Sequence, residues 1–305
     1  MRDALSQSLV TLAQKNPKVV VLTGDHGYAL FDEYRSRFPR QYINAGIAEQ
    51  NMVGMAAGLA RAGYFPIVYG LSAFIPIRVL EQIKLDVCHD NLPVIFLGDG
   101  AGFVYSTLGT SHQSTEDIAA TRAIPHLAIY SPADRHEMSA VMRLASNTKL
   151  PSYVRIGKGD LGDVHIDTLL KINLGELCLL RKGSPKITFI ATGSMVKTAL
   201  DLAEYFEHAS VWSAPVIKPF DESKLLKCVA SSEFVVSFEE HSVYGGLGGM
   251  LAEILSAQQA VRLLRIGVKD RFSHGCGSYA YLLKEHGLDH DGIRDQINTF
   301  LSPLI

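Results

Sequence analysis

The sequence has no excess of either charge: 29 lysines and arginines stand against 31 aspartates and glutamates, a formal charge of −2. That balance excludes the broad basic face on which nonspecific nucleic-acid binding depends. No apolar run approaches the roughly 18 residues of a membrane span. The opening MRDALSQSLV does not have the shape of a secretory signal. Cysteine is scarce. Cys88, Cys178, Cys228 and Cys276 stand far apart with no CxxC among them. This excludes a disulfide framework and a short-spaced zinc site, and predicts reduced thiols in a cytoplasmic protein. Low-complexity stretches and short-period repeats are also missing. What is present is ordinary globular composition, 47% hydrophobic and 20% charged. A domain usually holds about 100–200 residues, so the 305 residues here predict two.

Apolar runs at 19–22, 66–69, 93–97, 127–130 and 152–156 alternate with helical patterns at 4–15, 47–62, 80–89, 115–121 and 136–147. Near-continuous apolar strands alternating with helices mark a parallel sheet covered on both faces. A more polar, glycine-bearing interval follows at 157–185. The alternation then restarts, with strands at 187–191, 209–212, 234–239 and 261–266 and helices at 196–208, 222–231 and 248–257. The pattern predicts an α/β fold of two consecutive domains, each a mainly parallel sheet with helices on both faces. Their expected spans are 1–160 and 185–305, with a linker at 161–184.

Three glycine-rich spots invite over-reading. Gly98-Asp99-Gly100 ends an apolar strand and resembles the opening of a magnesium–diphosphate site. A hard cation needs several oxygen ligands, and such a site places an asparagine roughly 25–30 residues on. The next asparagine is Asn147. Thr23-Gly24-Asp25-His26 has Asn51 at a better spacing, but Asn51 belongs to the helix start beside Glu49. The stretch 243–250 (VYGGLGGM) is not GxGxxG. It reads as a tight turn with close helix–sheet packing, and His241 beside it as structural.

The segment that carries chemistry is 44–60, NAGIAEQNMVGMAAGLA. Glu49 opens a helix rich in small residues, among them Gly54, Ala56, Ala57 and Gly58, which allow close packing. A carboxyl group there is either a partly desolvated acid, whose neutral form burial favours, or a surface acid complementing the helix dipole. Residue chemistry alone leaves both open.

GIAEQNMVGMAAGLA resembles the segment of transketolase-type thiamine diphosphate enzymes that carries the catalytic glutamate. The stretch 65–83 (FPIVYGLSAFIPIRVLEQI) is similar to the family's pyrimidine-pocket strand and helix. Likewise 98–117 (GDGAGFVYSTLGTSHQSTED) resembles its substrate loop, and 124–134 (IPHLAIYSPAD) the strand after it. The stretch 184–249, with FEEHSVYGGLGG, resembles its C-terminal domain. The likeness starts at the second of the family's three domains. It therefore implies a C-terminal subunit of a split transketolase, with thiamine diphosphate bound between this chain and an N-terminal subunit. Magnesium ligands are expected on that partner, in an α2β2 heterotetramer acting on sugar phosphates.

By this resemblance Glu49 shares its proton with the aminopyrimidine N1′, which helps the cofactor's C2 lose its own, and Phe74 stacks on the aminopyrimidine. Ile47 is expected beside the cofactor. His112 matches a histidine that contacts the sugar, and Arg2 an arginine that holds its phosphate. Lys158 takes the second basic position of an Arg-x-x-Arg, as a point charge without arginine's bidentate fork. Asp99 stands where transketolases place a histidine at the substrate. Leu108 replaces an aspartate that reads a substrate hydroxyl, Leu71 replaces an aromatic, and no phosphate-contacting serine follows Asp25. The resemblance thus implies two-carbon ketol transfer with an altered substrate end. The β subunit of a 2-oxo-acid dehydrogenase and a 1-deoxyxylulose-5-phosphate synthase are enzymatic alternatives. A non-catalytic scaffold is the contrary reading. Leu108 favours it, and the retained Glu49, Phe74 and His112 oppose it.

Overall fold

Valine-rich β1 (Val19–Thr23) is buried along its whole length, as a strand flanked on both sides and covered on both faces must be. The computed structural model describes residues 1–166, 171–183, 186–206, 209–257 and 261–302. β1 pairs in parallel with β2 (Tyr42–Asn44) and β3 (Phe65–Leu71). Beyond β3 lie β4 (Ile95–Asp99), β6 (Ser152–Ile156) and β5 (Ala128–Tyr130) in turn, all parallel. The second sheet holds β8 (Ile187–Ala191), β9 (Ala209–Ser213), β11 (Phe234–Ser242) and β12 (Arg262–Val268), also parallel. Helices cover both sheets, so the expected α/β pair of mainly parallel layers is what forms.

Three strands are absent from the sequence pattern: the short parallel β2, and two that are antiparallel. β7 (Cys178–Arg181) lies inside the interval read as a linker, yet it pairs with β9 at the edge of the second sheet. β10 (Val216–Lys218) follows a second-sheet strand but crosses to pair with β5 of the first. The helix read at 196–208 is Met195–Leu202, and residues 207 and 208 lie outside the described residues. So do 184 and 185, where the second domain was expected to begin. The helices Tyr279–Glu285 and His290–Leu301 close the chain's described part.

Gly245, Gly246 and Gly248 serve packing, each with a neighbour that an added Cβ would meet at under 3 Å. Glu239, buried within β11, accepts from the Leu247 and Gly248 N–H groups at 2.7 and 2.8 Å, which anchors the start of helix Leu247–Ser256. Burial pushes this carboxyl up to about 7, against the pull of those two donors. A Cβ on Gly246 would overlap Glu239 Oε2 and come within 2.6 Å of His241 Nδ1. Gly246→Ala is expected to cost about 1–3 kcal/mol by overpacking, read as a lower denaturant midpoint at unchanged slope. His241 bridges the two halves: its Nδ1–H donates to the Ser242 carbonyl and its Nε2 accepts from Ala119 N–H at 3.2 Å. Burial pushes the imidazole down to about 4 and keeps it neutral.

Candidate functional site

Parallel sheets bind ligands beyond the carboxyl ends of their strands, where order reverses about a central strand. Here the chain moves from β1 outward to β2, then returns to the other side of β1 as β3. Glu49 follows β2, Phe74 follows β3, Asp99 ends β4, and Lys158 follows β6. Helix Arg2–Lys15 presents its first residue to the same edge, with Arg2 Nη2 3.8 Å from Asp99 Oδ2.

Local chemistry sets the position of Glu49. Asn44 Oδ1 accepts from the Gly46 and Asp25 N–H groups at 2.9 and 3.2 Å, and Ala45 N–H donates to the Thr23 carbonyl. The turn into the helix Glu49–Arg61 is thereby pinned to the end of β1. Gly24 is required there because a Cβ would stand 2.9 Å from the Gly46 carbonyl oxygen. Of the small residues in the helix, Ala56 and Ala57 are buried, whereas Gly54 and Gly58 are exposed with open space over them.

Glu49 is only 4% exposed. Its Oε2 accepts from Arg78 Nη1 at 3.1 Å, while Oε1 is buried with no hydrogen-bond partner. The Arg78 guanidinium lies over the Phe74 ring at 4.1 Å, and the His112 ring meets Phe74 at 5.4 Å edge-on. Glu49, Phe74 and His112 therefore form one cluster, linked by an arginine that sequence reading missed. Its only signal was a cation four residues beyond Phe74. Phe74 is set by a tight turn in which its N–H and that of Ile75 both donate to the Leu71 carbonyl, at 2.9 and 2.7 Å. Gly98 gives this turn room, since a Cβ there would sit 2.8 Å from the Ile75 carbonyl oxygen.

A second group surrounds a cavity of about 370 Å³ lined by Arg2, Asp99, Tyr105, Lys158 and Asp160. Asp99 Oδ2 accepts from the Tyr69 hydroxyl at 2.6 Å, and Lys158 Nζ pairs with Asp160 at 2.9 Å. Ile47 belongs to neither group; it is 74% exposed on the turn before Glu49. Leu108 is likewise half-exposed on the substrate-type loop. Among the described residues, no three His, Cys, Asp or Glu side chains converge as a metal site.

A buried polar network stands behind these groups. Arg155, which sequence reading treated only as the first basic residue before Lys158, is fully buried. It donates from Nε to both oxygens of Asp117 at 2.8 and 3.0 Å, and from Nη2 to the Ser114 and Glu240 carbonyls. Tyr153 donates to the same Asp117 at 2.6 Å. Glu240 in turn accepts from Phe103 N–H, the Ser194 hydroxyl and the Tyr279 hydroxyl, which joins the two sheets beneath the loop carrying His112.

Comparison with known proteins gives the family of the chain. Residues 1–163 match the family model "Transketolase, pyrimidine binding domain", and residues 175–293 match "Transketolase, C-terminal domain". The chain is 33% identical to one subunit of the apulose-4-phosphate transketolase of Actinobacillus succinogenes, over 91% of this chain and 90% of that one. It is 34% identical to 1-deoxy-D-xylulose-5-phosphate synthase of Pasteurella multocida, over 96% of this chain but 47% of the synthase. Among solved structures, a protein described as "Split gene transketolase, inactive beta4 tetramer" superposes with a TM-score of 0.88 at 31% identity, covering 98% of this chain and 97% of that one.

Proposed function

The chain belongs to the transketolase family, and on that premise we propose that it is the C-terminal subunit of a split, thiamine diphosphate-dependent transketolase. It would transfer a two-carbon ketol unit from a ketose donor to an aldose acceptor, as a cytoplasmic α2β2 heterotetramer with an N-terminal subunit. One observation carries the reading: a buried glutamate oxygen, Glu49 Oε1, left without a partner at the carboxyl edge of the sheet beside an aromatic ring.

Such an atom is costly unless something completes it. A heteroaromatic nitrogen that accepts a proton from Oε1 does so, and the donor set therefore fits an aminopyrimidine. When bound, thiamine diphosphate supplies the carbon that takes up and releases the two-carbon unit. Glu49 holds or passes a proton at Oε1, while Arg78 fixes the carboxyl group through Oε2. Phe74 offers a ring face for stacking, and His112, at its edge, offers an imidazole to a sugar hydroxyl. The diphosphate and magnesium fall to the partner subunit.

The test is reconstitution. With the partner subunit, thiamine diphosphate and magnesium present, a 13C-labelled C1–C2 unit of a ketose is expected to appear in a lengthened aldose. Oxidative decarboxylation of a 2-oxo acid with no transfer to any aldose would instead assign the chain to a 2-oxo-acid dehydrogenase.

A further inference from the structure

The cavity that holds the remaining predicted residues has a charge pattern of its own. Its side-chain cations are Arg2 and Lys158, and its acids are Asp3, Asp99 and Asp160, so positive charge is not in excess. The two side-chain cations each already have a carboxylate, Arg2 with Asp99 at 3.8 Å and Lys158 with Asp160 at 2.9 Å. Lys158 also lies over the Tyr279 ring at 5.6 Å. Asp99 is 6% exposed at the end of β4, held by the Tyr69 hydroxyl. Its backbone carbonyl accepts from Ser72 N–H, two residues before Phe74, so the cavity lies one strand away from the Glu49 cluster.

A phosphate dianion needs unpaired cations or several convergent N–H donors. Here it would meet a carboxylate fixed in the wall, in a partly desolvated setting where like charges repel strongly. A hydroxyl group has the opposite fit, because an ionised carboxylate offers only acceptors and a sugar hydroxyl donates. We propose that this cavity receives the uncharged, hydroxyl-bearing end of an unphosphorylated sugar, with Asp99 as the residue that selects it. The proposal rests on the ketol-transfer reading and sharpens its substrate class.

The experiment uses the assembled enzyme and matched ketose donors with and without a terminal phosphate. The unphosphorylated donor is expected to have the higher kcat/KM, by about tenfold or more, a loss of transition-state stabilisation for the phosphorylated donor. Asp99→Asn keeps an acceptor for Tyr69 while removing the charge, and should narrow that ratio by improving the phosphorylated donor. As a second readout, inorganic phosphate should leave the melting temperature of the wild-type chain unchanged. A kcat/KM favouring the phosphorylated donor would overturn the proposal while leaving ketol transfer intact. So would a phosphate-dependent rise in melting temperature that Arg2→Gln or Lys158→Gln removes. If no donor reacts, the ketol-transfer reading fails, and the phosphate melting series still decides the charge preference of the cavity.

Discussion

Glu49→Gln is expected to leave thiamine diphosphate bound to the assembled enzyme while slowing exchange of the cofactor's C2 proton by about 10²–10⁴-fold. The substitution keeps the shape of the side chain and its place at the helix start. Arg78, which donates to Oε2 at 3.1 Å, needs an acceptor and will hold the amide oxygen. That turns the NH2 group toward the position of the partnerless Oε1. An amide there donates a hydrogen bond to a ring nitrogen, so binding survives. It does not give up its proton at neutral pH, so the relay is lost. Quenched-flow exchange into deuterium, read by NMR, measures this directly. A change under about tenfold would mean the carboxyl group does no proton work.

Arg155→Met is expected to destabilise the chain by about 3–5 kcal/mol, the usual cost of removing one partner from a buried ion pair. Three groups lose the guanidinium at once: the Asp117 carboxylate, which keeps the Tyr153 hydroxyl, and the carbonyls of Ser114 and Glu240. Asp117 is 0% exposed, so bulk water does not reach its carboxylate in the folded chain. Because Glu240 lies on β11 and Asp117 beside β5 and β6, the loss weakens the junction of the two sheets. Adding Asp117→Asn removes the stranded charge and should recover part of the loss, a non-additivity expected of contacting residues. Denaturant unfolding of the single and double variants checks both statements. A single variant within about 1 kcal/mol of the wild type would show that the network carries no net weight.

The parallel strands were legible because burial on both faces writes itself as uninterrupted apolar runs, such as VVVLT at β1 and IFLGD at β4. β2 and β10 were not, since each is three residues long, and β10 leaves a second-sheet segment of the chain to join β5 in the first sheet. β7 was hidden for a different reason: as an edge strand of mixed burial, CLLR has no clear alternation. The packing glycine Gly246 was readable because it follows a strand and opens a helix; the packing role of Gly98 was not, since its Gly-Asp-Gly setting pointed only to a diphosphate site. Glu49 and Phe74 were visible through family resemblance, and residue chemistry alone left Glu49 undecided. Arg78 escaped because its contact depends on the turn at 71–78, which folds the chain back so that one guanidinium touches both an acid and a ring. Arg155 escaped because nothing in a sequence marks an arginine that will be completely enclosed.

In the proposed assembly one half of a thiamine site resides here and the other half comes from another polypeptide. Calorimetric titration of thiamine diphosphate with magnesium, into the chain alone and into the chain with its partner subunit, separates this arrangement from a site complete in one chain. Tight binding is predicted for the pair only, and it should fall when Phe74 is replaced by Ala. Equally tight binding by the chain alone, or binding by the pair that ignores Phe74, would contradict it.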